Sequence, residues 1–509
     1  MAPTPSAPTS TPTSPLTSPR VAVIGAGPSG LATLKALLDR GVNAWAYDAG
    51  DVPGGLWVLG GAGGRSPAYS TLHLNTSRTR TEFTDHPMPA DWPHFPRHDR
   101  VAGYLADYAR TFGLVERTRF RHEVTSVRAA GATSGTDDGR HAGWEVTATG
   151  PDGTSTDHYD AVVVANGHNA APRWPEPAYP GTFDGDQMHS NDYRGPEQLA
   201  GRHVVVVGGG NSAMDIAVDA SYAAAETHLS LRHGVWVVPK QVFGRPSDTL
   251  NGALAKHLPW RLRQRISETT IGFAAGRPES HGLPRPTRGF LEGHPTLSDA
   301  LYARVAHGEI GVRPGVERLD GDAVVFTDGR RERADLVVWC TGYRVDVPFL
   351  DPAVLAPGAD RLMLYRHVFH LDQPGLYFVG LMQSTGAALP VVEAQGRLVA
   401  AHVAGEYALP SHADQRAACV RELRAARARW GESRPAMRVD FDGYVALAAR
   451  ELVDGARRAS RGQGVAFAPA APQSTTPTPA AREAARDGTP HGETPQDDTT
   501  TTHEKADAR

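Results

Sequence analysis

Two short glycine-rich turns carry the residues of this sequence best suited to chemistry. The first, Gly25-Ala26-Gly27-Pro28-Ser29-Gly30, follows the apolar run Val21-Ala22-Val23-Ile24. The second, Gly208-Gly209-Gly210-Asn211-Ser212-Ala213, follows four valines, Val204 to Val207. A glycine at the first position permits a tight turn, and the second lets backbone approach a pyrophosphate. A small third residue allows the helix to pack on its strand. The helix that follows offers free N–H groups and a positive dipole end to phosphate. The turns begin 183 residues apart, so the chain reads as binding two dinucleotides at once. The simplest pairing is a flavin that stays and a nicotinamide that feeds it hydride.

An acid about 20 residues beyond such a turn accepts a ribose hydroxyl. Asp48, which closes the strand-like run from Asn43, stands in that place. The corresponding run of the second unit, His228 to Arg232, ends on a cation. A carboxylate there would repel a ribose 2′-phosphate, whereas a guanidinium pairs with it. Arg232 therefore favours NADPH over NADH, with Lys240 adding charge; the alternative is that Arg232 is a solvated strand end.

These turns imply an α/β chain with two Rossmann-like dinucleotide-binding domains, the NADPH domain inserted in the FAD domain. The expected divisions are a disordered segment 1–19, a first FAD-binding part 20–169, an NADPH-binding domain 170–335, a second FAD-binding part 336–467 and a disordered tail 468–509. Residues 2–19 hold six prolines, and the tail holds no aromatic residue and no aliphatic larger than Ala, too little to offset ordering entropy. Trp144–Thr149 and His158–Ala165 read as strands flanking a turn, and Leu336–Trp339 reads as the strand on which the chain returns to the first domain.

The 509 residues carry a net charge of -4, which gives no electrostatic case for nucleic acid. No stretch approaches the roughly 20 apolar residues of a membrane span. Two cysteines, Cys340 and Cys419, exclude a disulfide scaffold and a CxxC pair, and the 22 histidines show no metal-ligand spacing. A cytoplasmic setting is expected, with no metal and no membrane anchor.

The stretch Phe183-Asp-Gly185-Asp-Gln-Met-His189-Ser-Asn-Asp-Tyr193 matches the FxGxxxHxxxY fingerprint of the flavin-containing monooxygenases, class B flavoprotein monooxygenases. Gly54-Gly-Leu-Trp57, Leu72-His-Leu-Asn75, Thr341-Gly342-Tyr343, Gly380-Leu-Met-Gln383 and Glu393-Ala-Gln395 resemble further segments of that family. The resemblance implies FAD and NADPH as cofactors, with O2 and a small organic molecule as substrates. It implies a flavin C4a-hydroperoxide attacked by an amine nitrogen or a sulfur. It places Asn75 as the catalytic amide and adds Leu56, Trp57, Leu74, Thr76, Asp215, Thr341, Gly342 and Gln383 to the cofactor contacts. Read from spacing alone, Asn75 equally closes a turn before Thr76-Ser77. His189 and Tyr193 read as a linker between the domains or as direct participants, and Trp57 as a lid or a packing residue.

A Baeyer–Villiger enzyme acting on a ketone is the nearest alternative; its fingerprint ends in Trp where this chain has Tyr193. An N-hydroxylase of ornithine or lysine shares the two-nucleotide plan. A non-catalytic flavoprotein would have no use for the second turn and Arg232. Whether the chain forms a homo-oligomer is left open, as is any lining of the site by Arg245, Trp260 or Phe290.

Overall fold

The computed structural model describes residues 18–131, 142–249, 258–290, 292 and 296–470. Most of the expected disordered ends, 1–17 and 471–509, lies outside the described residues.

Two parallel sheets organise the chain, each built on one of the valine-rich runs. In the first, five strands pair in parallel in the order Leu376–Phe378, Ala161–Val164, Arg20–Ile24, Asn43–Asp48 and Thr118–Phe120. Leu364–Tyr365 and Phe369–His370 extend its edge antiparallel. Side chains alternate across a strand, and here both faces are buried. Val21 and Val23 pack with Leu31, Leu34 and Leu37 of the helix Pro28–Leu38 and with the helix Leu389–Val403. Ala22 and Ile24 pack on the opposite face with Trp144 and Val146 of a three-stranded antiparallel sheet, Glu123–Ala129, Trp144–Gly150 and Gly153–Tyr159. Continuous apolar strands buried on both faces are what a parallel sheet requires.

The second sheet repeats the plan with five parallel strands, in the order Asp186–His189, Leu336–Trp339, His203–Val207, Glu226–Ser230 and Gly311–Arg313. Val204 and Val206 face the helix Asn211–Ala223, while Val205 and Val207 face a four-stranded layer around Val324 and Phe326.

Two expectations need correction. Leu336–Trp339 is not the return strand: it lies inside the second sheet, hydrogen-bonded between Asp186–His189 and His203–Val207. The chain crosses back only after Trp339, where Tyr343–Arg344 pairs antiparallel with the outgoing Ala171–Pro172. An apolar run of four specifies a buried parallel strand without specifying which sheet receives it. Likewise His158–Ala165 is not one strand. Tyr159 ends the antiparallel hairpin, and Ala161–Val164 turns into the first parallel sheet.

The third glycine of the first turn is fixed by contact. A Cβ at Gly30 would lie 1.8 Å from the Gly25 carbonyl oxygen, whereas one at Gly210 would meet nothing within 4 Å. Gly30→Ala should therefore lower stability by about 3 kcal/mol. Gly210→Ala should change it by no more than about 1 kcal/mol and instead weaken dinucleotide binding. Thermal denaturation alongside NADP+ titration separates the two effects.

Candidate active site

A cavity of about 740 Å³ runs from the first glycine turn, in the body built on the first sheet, toward the second body, built on the second sheet, within the size range of cofactor sites. Gly25, Gly27, Pro28, Ser29, Asp48, Leu56, Trp57, Leu74, Asn75 and Thr76 all line it. From the second body come Asn211 and Leu297. Leu297 N–H donates to Asn211 Oδ1 at 2.9 Å and Thr296 Oγ1 to the Gly209 carbonyl at 3.0 Å, so the segment Thr296–Leu297 covers the second turn. Both glycine turns end as uncapped helix N-termini at Gly27 and Gly210, which leaves their amide groups for phosphate.

Asp48 sits where the sequence placed it, but it also holds the turn. Its Oδ2 accepts from Ala26 N–H at 2.6 Å and its Oδ1 from Gly50 N–H at 2.7 Å. A carboxylate has about four lone-pair sites, so a ribose hydroxyl can be accepted in addition.

Asn75 Oδ1 is buried with no hydrogen-bond partner in the protein. An orphaned buried acceptor costs about 1–3 kcal/mol; on a cavity wall it is satisfied by whatever fills the cavity. With the glycine turns, it fits a bound flavin dinucleotide. The segment that carries Asn75 is fastened to the second body rather than to its own sheet. Tyr69 OH donates to Asp215 Oδ2 at 2.6 Å, and Thr71 Oγ1 to Asp219 Oδ2 at 2.6 Å. Lys240 Nζ donates to the Leu74 carbonyl at 3.1 Å. Ser77 donates to Asp248 Oδ2 through its N–H at 2.7 Å and its hydroxyl at 3.0 Å. Burial raises the Asp215 and Asp219 carboxyls above their usual range and lowers the Lys240 ammonium.

The residues singled out in the sequence divide between the cavity wall and its supports. Asp215 is a fastening for Tyr69 and not a lining residue. Lys240 is engaged with the Leu74 carbonyl on the Asn75 segment. Arg232 lies exposed just past the strand Glu226–Ser230, with no ion pair among the described residues, and is available to a ligand. Thr341 Oγ1 donates to the Arg173 carbonyl, and Gly342 accepts from Arg173 N–H at 2.9 Å. Both belong to the crossing between the bodies and stand off the cavity wall. Gln383 is also off the wall, although its neighbours Met382 and Thr385 are on it. Gly208, Gly210, Ser212 and Ala213 shape the second turn outside this cavity, and Ala213 is fully buried against the second sheet. Ala26 contributes its N–H to Asp48, and Gly30 its lack of a side chain.

His189 and Tyr193 are both buried and hydrogen-bonded within the protein. Tyr193 is fully buried and donates to Asp219 Oδ2 at 2.8 Å. His189 Nδ1 accepts from Asn191 N–H at 3.0 Å, and burial lowers its pKa. Burial pushes the Cys340 thiol up to about 12, which removes thiolate chemistry at neutral pH. Arg245, Trp260 and Phe290 do not line the cavity.

Sequence reasoning missed Asn166, His168 and Asn169, which line the cavity just beyond Ala161–Val164. The available signal was position: ligands sit outside the carboxyl ends of parallel strands. It also missed Ala387, Ala388 and Leu389, where the helix Leu389–Val403 points its uncapped N-terminus at the cavity. Among the described residues, no group of three His, Cys, Asp or Glu could hold a metal ion, and no helix is long and apolar enough to cross a membrane.

Residues 18–451 match the model of the flavin-binding monooxygenase-like family. Human flavin-containing monooxygenase 5 is 34% identical over 79% of this chain and 76% of its own length. Among solved structures, S-allyl-L-cysteine S-oxygenase from Allium sativum aligns with TM-score 0.63 at 24% identity, covering 87% of this chain and 93% of its own. A steroid monooxygenase bound to NADP aligns with TM-score 0.64 at 17% identity, covering 87% and 99%.

Two substitutions test the site. Arg232→Ala should raise KM for NADPH about tenfold or more, the worth of a charge-assisted contact, and leave KM for NADH unchanged in steady-state assays. Asp248→Ala strips Ser77 of its acceptor at a cost of about 1–3 kcal/mol. It should hasten flavin loss on dialysis well below the melting temperature.

Proposed function

Because the chain belongs to the flavin-binding monooxygenase-like family, whose members use FAD and NADPH, we propose that it places one atom of dioxygen on a soft nucleophilic nitrogen or sulfur of a small organic substrate. FAD, reduced by NADPH, supplies the activated oxygen. The chain supplies grip, orientation and dryness.

The amide groups of the first turn hold the flavin pyrophosphate, and Asp48 takes its ribose. The Asn75 carboxamide, on a segment held by Lys240 at Leu74 and by Asp248 at Ser77, presents an acceptor and two donors without net charge. Leu56, Trp57, Leu74, Phe349 and Met382 line the cavity and exclude water.

The observation that carries the heteroatom reading is the charge of the cavity wall. Attack by an amine or sulfide needs a neutral, protonated oxygen donor; insertion beside a ketone needs an anionic one, held by a free cation. Among the lining residues the one guanidinium is Arg65, and its Nη2 is bound to Glu123 Oε1 at 2.8 Å; no lysine is present. Burial holds His168, also on the wall, below its usual range and hence neutral at pH 7.

The test supplies the purified enzyme with NADPH, isotopically labelled dioxygen, and in turn an aryl methyl sulfide, a tertiary amine and cyclohexanone. The expected products are the sulfoxide or N-oxide carrying the label, with kcat/KM for the ketone lower by about tenfold or more. A predominant lactone would replace this reading with ketone oxygenation. NADPH consumption without any labelled product would overturn it.

A further inference from the structure

Beside the cavity, positive charge is gathered and left short of partners. Arg263, on the helix Trp260–Ala275, and Arg429, near the end of the helix His412–Trp430, both set Nη2 against Asp440 Oδ2, at 2.6 and 2.9 Å. The other oxygen of Asp440 accepts from Gly443 N–H at 3.1 Å and caps the helix Phe441–Ser460. That carboxylate is fully engaged. Arg288 Nη1 donates to the Trp430 carbonyl at 3.1 Å, which brings a third guanidinium to the same helix end.

Arg438 is the fourth. It stands two residues before Asp440 on the short strand Arg438–Val439, a spacing that puts both side chains on one face. Among the described residues, no ion pair or hydrogen bond engages its side chain, and its Nε is buried without a partner. The Nε atoms of Arg263 and Arg429 are buried and unpartnered too. Burial, together with the guanidinium groups of Arg288 and Arg434, pushes the Arg438 pKa down. Arg434 is otherwise occupied, 3.7 Å from Asp360. Arg263 and Arg429 thus share the one carboxylate, Arg288 meets the same helix end, and Arg438 pairs with no carboxylate among the described residues.

This cluster adjoins the cavity wall. Gln383–Ser384 pairs with Arg438–Val439. Thr385 N–H donates to the Val439 carbonyl at 3.0 Å, and Phe441 N–H to Thr385 Oγ1 at 3.1 Å. Thr385 and Gly386 themselves line the cavity. A half-buried cation without a counter-charge is unfavourable, and planar guanidinium forks match an oxyanion.

We propose that Arg263, Arg288, Arg429 and Arg438 form a binding site for a compact oxyanion, a carboxylate or phosphate group, beside the oxygenation cavity. The adjoining wall makes the substrate's own acidic group its natural source; that part rests on the function proposed above, whereas the site itself does not.

The test uses the FAD-loaded enzyme and two arms. In the first, acetate and inorganic phosphate are titrated at constant ionic strength while the thermal midpoint is followed. The parent and Arg438→Lys should show a saturable rise, and Arg438→Met none. In low-salt buffer Arg438→Met should melt no lower than the parent, because it loses an unpaired, half-buried charge; a purely structural arginine would show the opposite. In the second arm, methyl phenyl sulfide is compared with 4-(methylthio)benzoate. The carboxylated sulfide should have a KM lower by on the order of tenfold in the parent, and Arg438→Met should abolish the difference with kcat on the neutral sulfide unchanged. Equal KM values beside an intact titration would support the site and assign it to a free oxyanion. No saturable rise with either anion, or an identical rise in Arg438→Met, would overturn it. Failure to oxygenate either sulfide while the titration holds would overturn the oxygenation reading and leave the site standing.

Discussion

Two carboxylates one helical turn apart, Asp215 and Asp219, determine how the halves of this protein meet. Both stand on the helix that follows the second glycine turn. They receive three hydroxyls, from Tyr69, Thr71 and Tyr193. A buried carboxylate without hydrogen bonds is expensive, so these hydroxyls are requirements of the helix as much as contributions from the chain that offers them. Tyr69 and Thr71 belong by sequence to the first body and Tyr193 to the approach of the second. The same four-residue step on one helix therefore fixes the Asn75 segment and the end of the Phe183–Tyr193 stretch together. Asn75 needs no strong contact of its own with protein, because its neighbours are held on either side.

The cavity shows the same economy in its charges. Its wall borrows two residues from the second body, Asn211 and Leu297, and keeps its one guanidinium neutralised by Glu123. Cations are set back from it. Lys240 donates to the Leu74 carbonyl, and the arginines around Asp440 stand behind Thr385 and Gly386. A cavity whose wall carries no free lysine or arginine suits a reaction in which the cofactor does the chemistry and the protein prevents side reactions.

Much of this was legible in the sequence wherever local pattern and structure coincide. Valine runs ending in Gly-x-Gly predicted the two parallel sheets, and Asp48 and Asn75 lie on the cavity as expected. What escaped notice depends on partners far along the chain. Asp215 is near the second turn in sequence, and nothing local reveals that its face of the helix meets a tyrosine 146 residues upstream. Lys240 follows Arg232 closely, yet its ammonium is set by a carbonyl 166 residues away. Leu336–Trp339 is equally apolar whichever sheet receives it, and only strand order decides. The unpartnered Arg438 looks like any surface arginine until Asp440 is seen to be taken twice.

The two-residue ribbon where Ala171–Pro172 meets Tyr343–Arg344 has a consequence for the folding search. Val163 and Tyr377 are neighbours in the first sheet although 214 residues separate them. Once the second body has formed, its entry and exit are held side by side, and the stretch still to be closed falls to about 41 residues. Loop-closure entropy grows as the logarithm of length, so this shortcut is worth about 1.5 kcal/mol. An inserted body of this kind acts as a splint, and the first sheet closes over it at nearly the cost of an uninterrupted domain.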